Sequence, residues 1–365
     1  MAFRCGANLR AQPRASLLCC RFIGAVAIGW RCSPHAPRGT RSASESKRPL
    51  RVLRYAHGSE SPGGGRRQLR CFGRGSRGIL GESGCGKSTT ALALLRLLPP
   101  GGRLVSGSVE LAGRDLVTLR ERELEKIRGA EIALIFQEPG ISLHPTLRVG
   151  DQVADVFRAH KPWGWKRCQQ EAATALAEVF PRDTEHIVRA YPHELSGGQR
   201  QRVLIAQALA CKPSLVIADE PTASLDATTQ AETLDLLKVL QLRHNMAFLF
   251  ISHNPAVLAR LVDRILVMYA GRIIEEGKTS DVLRRPLHPY TQGLLSALPK
   301  PVGAAGATQV PLATLPGSPP DPTHLPPGCR FEPRCSQRVL ACATREPQTV
   351  WVEASRGARC FLYES

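Results

Sequence analysis

Gly81-Glu82-Ser83-Gly84-Cys85-Gly86-Lys87-Ser88 fits the pattern G-x-x-x-x-G-K-[ST], which can cradle a polyphosphate. Its glycines let successive backbone N–H groups turn inward around phosphate oxygens, and the helix that follows presents its positive end to them. Lys87 has the reach for β- and γ-phosphates, the Ser88 hydroxyl suits a magnesium ion, and Thr89 continues into the helix. Cys85 reads as a residue that fits the loop rather than as a reactive thiol. A second run, Leu215-Val216-Ile217-Ala218-Asp219-Glu220, sets two acids behind four apolar residues. In a buried strand the apolar part joins the core, and the acids fall at the carboxyl end, where open α/β sheets bind ligands. Asp219 then suits magnesium and Glu220 suits polarising an attacking water.

A further anion site is written into Leu195-Ser196-Gly197-Gly198-Gln199-Arg200-Gln201-Arg202. Ser196 caps a helix N-terminus, and Gly197 and Gly198 leave its N–H groups open. One chain has no use for this site when its phosphate loop already holds the nucleotide. The run resembles the signature of the ABC family, a motif more specific than the phosphate loop. In that family two cassettes pair head to tail, so that the signature of one closes on ATP held by the other. The resemblance therefore implies ATP and magnesium as cofactors, a second ABC ATPase subunit as partner, and nucleotide contacts from Leu195, Ser196, Gly197, Gly198 and Gln199. Gln137, in Ile135-Phe136-Gln137-Glu138-Pro139, resembles the Q-loop residue that senses the γ-phosphate and magnesium. Ser224-Leu225-Asp226 resembles the D-loop at the dimer interface, and His253 resembles the switch histidine. The catalytic set so implied is Glu220, His253, Lys87 and Gln137, with Ser88, Gln137 and Asp219 around magnesium.

Pro192-His193-Glu194, the stretch from Ala218 to Asp226, Met268-Tyr269-Ala270-Gly271-Arg272 and His288-Pro289-Tyr290-Thr291 resemble the oligopeptide, dipeptide and nickel importer branch of that family. This implies two transmembrane permease subunits as partners, a periplasmic solute-binding protein acting indirectly, and a peripheral place on the cytoplasmic face of a bacterial inner membrane. Cys329, Cys335, Cys342 and Cys360 follow the spacing C-x5-C-x6-C-x17-C, and some members of the branch hold a four-iron cluster on a similar tail. Four thiolates can hold such a 4Fe-4S cluster or a tetrahedral zinc, and four unliganded cysteines remain the other reading.

The elements that must position these groups read as α/β, a P-loop NTPase core of ABC type with a helical signature subdomain and a small Cys-containing C-terminal extension. A helix is expected over Ser88 to Leu98, a hairpin over Gly107 to Leu119, a short helix over Glu121 to Arg128, and a strand over Ile132 to Phe136. Residues 147–190 read as helices broken at Pro162 and Pro181. Helices and continuous apolar strands then alternate from Ser196 to Tyr269, which indicates a parallel sheet covered on both faces. The expected division is 1–78, a basic, disordered or non-native segment; 79–285, the ATPase domain with its helical subdomain at about 140–200; and 286–365, the extension, which opens with a Pro-rich connector. Before Ile79 the composition is Arg, Gly, Ser and Pro, and only Ile79 and Leu80 are left to feed the phosphate loop as a strand.

The formal charge of +18 suggests nucleic acid until it is divided along the chain. Residues 1–78 hold 16 Lys and Arg against 2 acids, and the remainder 33 against 29. The balance after residue 78 gives no reason to expect nucleic acid as a partner. The rival readings are a soluble ABC-type ATPase acting on nucleic acid or ribosomes, and an inactive remnant with a damaged N-terminus.

Overall fold

The computed structural model describes residues 53–57, 67–71, 75–104, 106–298 and 315–364. Strands β1 (Leu53–His57) and β2 (Arg67–Cys71) come first, and β3 (Ser76–Leu80) runs into the phosphate loop and helix α1 (Lys87–Leu94). A hairpin of β4 (Val109–Leu111) and β5 (Arg114–Asp115) leads to α2 (Glu121–Ile127) and β6 (Ile132–Ile135). The helical section is α3 (Pro139–Ser142), α4 (Val149–His160), α5 (Trp165–Val179) and α6 (Thr184–Arg189), and α7 (Gly197–Leu209) returns the chain to β7 (Leu215–Asp219). The alternating run continues through α8 (Ala227–His244), β8 (Ala247–Ser252), α9 (Pro255–Leu261) and β9 (Arg264–Tyr269). Beyond it lie β10 (Arg272–Lys278), α10 (Thr279–Arg284), α11 (Pro289–Ser296), α12 (Ala341–Thr344), β11 (Thr349–Glu353) and β12 (Arg356–Arg359).

The larger sheet has the order β11-β12-β10-β9-β3-β8-β7-β6. Its β9-β3-β8-β7-β6 part is parallel, and β10, β12 and β11 extend it antiparallel. Every residue of β7 and β8 is buried, as it must be in strands covered on both faces. Alternation sends Leu80, Val216, Phe248 and Phe250 into a core shared with the helical section, α7 and α9. Ile79, Ile217, Leu249 and Ile251 enter the opposite core, with α1, α2 and the β4–β5 hairpin. The smaller sheet, β2-β1-β4-β5, is antiparallel.

Two expectations are corrected. The strand before the phosphate loop is complete: β3 lies in the middle of the large sheet, paired to β8 and β9, and starts at Ser76 rather than at Ile79. Small residues make this strand possible. A Cβ at Gly78 would lie 3.0 Å from both Leu258 Cδ2 and Val262 Cγ2, and the Ser76 hydroxyl donates to Asp263 Oδ2 at 2.8 Å. The helix expected to reach Leu98 stops at Leu94, because Arg96 turns left-handed (φ 52°) and sends its guanidinium to the carbonyls of Leu116 and Leu119. Of the residues 1–78 expected to be disordered, 53–57, 67–71 and 76–78 lie in β1, β2 and β3, and 1–52, 58–66 and 72–74 lie outside the described residues.

The breaks at Pro162 and Pro181 occur where α4 and α5 end. Val153, Phe157, Cys168, Ala172 and Leu176 pack these helices together with an apolar face on each.

Candidate active site

Gly81 enters the phosphate loop under β9, where a Cβ would sit 2.3 Å from the Met268 carbonyl oxygen and 2.8 Å from Cys85 Sγ. Gly84 (φ 79°) and Gly86 (φ 102°) hold conformations that L side chains adopt only at a cost. Cys85 is buried, and that burial raises its thiol pKa, in keeping with a packing role. The Lys87 ammonium donates to the carbonyls of Gly81 (2.9 Å) and Glu82 (3.0 Å) and stands 4.0 Å from Glu220 Oε1. Ser83 and Ser88 are exposed, and Thr89 is half-buried at the start of α1.

Strand register gathers the remaining groups. Leu80 pairs with Ser252, Asp219 with Ile251 and Ile135 with Ala218, so Gly81, His253, Glu220 and Gln137 all emerge at the same edge of four neighbouring strands. Asp219 is buried, and its Oδ1 has no hydrogen-bond partner. Burial pushes its pKa up, against a hydrogen bond from Ser88; the Glu220 charge adds to the rise and Lys87 opposes it. An unpartnered buried carboxylate oxygen beside a serine hydroxyl is a donor set that fits magnesium.

Glu220 adopts φ 46°, a left-handed conformation that costs on the order of 1 kcal/mol outside glycine. Its N–H donates to the Ile251 carbonyl at 2.9 Å, and both carboxylate oxygens lie 2.9 Å from His253 Nδ1. The strained backbone thus aims the acid at the histidine and at Lys87. Gln137 is exposed two residues past the end of β6.

The signature forms a capping box at the head of α7: Ser196 Oγ accepts the Gln199 N–H (3.2 Å) and Gln199 Oε1 accepts the Ser196 N–H (2.9 Å). Leu195 is buried, whereas Ser196 and Gly197 are exposed. Gly198 lets α7 approach α8, since a Cβ there would lie 2.4 Å from Thr229 Cγ2. Asp226 caps α8 by accepting the N–H groups of Thr228 (3.1 Å) and Thr229 (3.0 Å). The bonds of Ser196 and Asp226 stay within their own helix turns, so neither residue is joined to the phosphate loop of the same chain by them.

Residues 71–223 match the ABC transporter family, and residues 274–342 match the C-terminal region of oligopeptide/dipeptide transporters. The oligopeptide transport ATP-binding protein AppD of Bacillus subtilis is 44% identical over 287 residues, covering 78% of this chain and 86% of that protein. The chain belongs to the ABC transporter ATP-binding proteins. The oligopeptide transport ATP-binding protein OppD of Escherichia coli is 45% identical over 270 residues, 74% of this chain and 79% of that one. The probable D,D-dipeptide transport ATP-binding protein DdpD of the same organism is 44% identical over 285 residues, 78% of this chain and 86% of that one. Among solved structures, the dimeric post-hydrolysis state of the ATP-binding cassette MJ0796 bound to ADP and Pi superposes with TM-score 0.52 at 26% identity, over 63% of this chain and 98% of that one. ABC transporter ATP-binding proteins are ATPases coupled to transport, and among the described residues of this one no helix is long and apolar enough to cross a membrane.

Three contacts that sequence reasoning did not foresee hold the phosphate loop of this ABC protein from its C-terminal side. Gly271, in the turn between β9 and β10, donates its N–H to the Cys85 carbonyl at 2.8 Å. The Tyr290 hydroxyl accepts the Glu82 N–H at 2.9 Å. Arg334 donates to both carboxylate oxygens of Glu82, at 2.8 and 3.1 Å. The motif His288-Pro289-Tyr290-Thr291 was a signal for Tyr290. His288 Nδ1 accepts the Tyr290 N–H at 3.0 Å to start α11, and Glu275 accepts the N–H groups of Leu287 (2.8 Å) and His288 (2.9 Å). Nothing in the sequence marked Arg334.

Cys329, Cys335, Cys342 and Cys360 are brought to one pocket, together with His288 and Phe331. Burial pushes the Cys329 thiol up to about 11, with the neighbouring cysteines adding to the rise, and raises Cys335 and Cys360 as well. Among the described residues no three His, Cys, Asp or Glu side chains converge to hold a metal ion.

Proposed function

We propose that this chain powers the import of oligopeptides or dipeptides by hydrolysing ATP within a head-to-tail pair of cassettes. The pair would dock on two permease subunits at the cytoplasmic face of a bacterial inner membrane, with a periplasmic solute-binding protein delivering the peptide. The single observation that carries the reading is the meeting of Lys87, Asp219, Glu220 and His253 at one sheet edge, with the capped signature exposed elsewhere. The printed functions of the relatives support the substrate class, and the dimeric state of the MJ0796 cassette supports the pairing. The relatives are transport proteins, which disfavours an ATPase acting on nucleic acid or ribosomes.

In this reading Lys87 binds the β- and γ-phosphates, and the N–H groups of Gly84, Gly86 and Ser88 complete the cradle. Bound magnesium, held by Ser88, Asp219 and Gln137, would supply positive charge against the phosphates. Glu220 accepts a proton from the attacking water, and His253, hydrogen-bonded to it, fixes the carboxylate and faces the γ-phosphate. Ser196, Gly197 and Gly198, with Leu195 and Gln199 behind them and Asp226 nearby, belong to the partner's nucleotide. We further propose an ATPase body from Ser76 to about 285 and an extension from 286 onward, whose four cysteines, lining one pocket, would be the ligands of a 4Fe-4S cluster.

Glu220→Gln tests the assignment, since it keeps the volume and removes the base. ATP turnover should fall at least about 100-fold while MgATP binding persists and a dimer accumulates on size-exclusion chromatography. Turnover within tenfold of the parent would refute the role of Glu220.

A further inference from the structure

The extension does more than follow the ATPase body; it grips the loop that binds phosphate. Glu82 is the point of attachment. Its N–H is taken by the Tyr290 hydroxyl, and its carboxylate by the fork of Arg334, 252 positions away in the chain. Arg334 is itself held firmly. It is buried, its Nε donates to the Pro316 carbonyl at 2.8 Å, Nη1 lies 3.3 Å from the Tyr269 hydroxyl, and its guanidinium lies 5.8 Å from the Tyr269 ring centroid and 6.0 Å from that of Phe331. Tyr269, Tyr290 and Phe331 pack ring on ring beneath it, with centroids 4.6 to 5.5 Å apart.

What Glu82 does with this support follows from its other side. The carbonyls of Gly81 and Glu82 are the acceptors that orient the Lys87 ammonium. Displacing Glu82 therefore displaces the charge that must meet the β- and γ-phosphates. A bidentate arginine fixes a carboxylate in both position and plane, which a lysine cannot do. We infer that Arg334 and Tyr290 are positioning residues for ATP hydrolysis, setting the first turn of the phosphate loop through Glu82, so that the C-terminal extension is part of the nucleotide site. The inference rests on the ATPase activity alone and not on the identity of the transported solute.

The test is MgATP-dependent hydrolysis by the full chain, read as KM and kcat, with thermal melting alongside. In Arg334→Met the KM for ATP should rise about tenfold, with kcat falling less than threefold, since charge-assisted bonds of this kind act on binding geometry. Arg334→Lys should recover part of the loss. Glu82→Gln is the decisive variant because it leaves the extension and its aromatic packing intact. It should raise KM at least threefold, and the double variant with Arg334→Met should be no worse than the worse of the two single variants. A KM in Glu82→Gln less than threefold above the parent overturns the inference, whether or not Arg334→Met folds. Additive effects in the double variant overturn it too, because they would mean that Arg334 acts through the stability of the extension.

Discussion

Gly81→Ala offers a severe steric test of how the phosphate loop is seated. The new methyl carbon would sit 2.3 Å from the Met268 carbonyl oxygen and 2.8 Å from Cys85 Sγ. Ordinary contact begins near 3.5 Å, so about 1 Å of displacement is needed. Met268 cannot yield freely, because β9 is tied to β3 on one side and β10 on the other. The loop must move instead, at a cost of about 1 to 3 kcal/mol for an overpacked site. A loss of about 2 kcal/mol corresponds to a fall of roughly 5 °C in Tm for a domain of this size. Because Lys87 takes its direction from the Gly81 carbonyl, nucleotide affinity should fall at least about tenfold in the same variant. Gly84→Ala is the control: nothing lies within 4 Å of its Cβ, so only the strain of φ 79° remains, about 1 kcal/mol. Both variants would be titrated with a fluorescent ATP analogue and melted. If Gly81→Ala matches the parent in both affinity and Tm, or proves milder than Gly84→Ala in both, the steric argument fails.

His288 should make stability depend on acidity. Burial pushes its pKa down to about 3 from an ordinary value near 6.5, so the folded chain keeps it neutral while the unfolded chain takes up a proton. The stability is complete above about pH 6.5 and drains away as pH falls toward 3, by up to about 1.4 kcal/mol per unit. His288→Asn retains an N-cap without a titrating group, and urea unfolding at pH 7, 6 and 5 should show a shallower slope; equal slopes would refute the account. For the cysteine pocket, anaerobically purified protein should contain iron and acid-labile sulfide in near-equal amounts with broad absorption near 400 nm, and their absence from such protein would remove the cluster reading.

The alternating half of the chain was legible because its signals are local. Continuous apolar runs gave β6, β7, β8 and β9, and Pro162 and Pro181 gave the ends of α4 and α5. The motif residues Lys87, Asp219, Glu220 and His253 were likewise readable, and strand register brings them together. Strand β3 was not legible, since the strand sequence Ser-Arg-Gly-Ile-Leu has one β-branched residue, Ile79, no aromatic, and a glycine in its middle. It holds its place through tertiary fit: Gly78 under Leu258 and Val262, Ser76 on Asp263. Arg334 was invisible for the same reason, because its partner lies far off in the chain and no local pattern encodes the meeting.

The outer strands of the large sheet carry a practical consequence. β12 covers β10, and Arg356 stands 3.5 Å from Glu275, a carboxylate almost wholly sealed from water. Cutting the chain at the Pro-rich connector would strip that carboxylate of its counter-charge and leave β10 as a bare rim on which another molecule's strand could polymerise. Affinity tags and fusion proteins on this chain therefore belong after Tyr363, where β12 stays in place over β10.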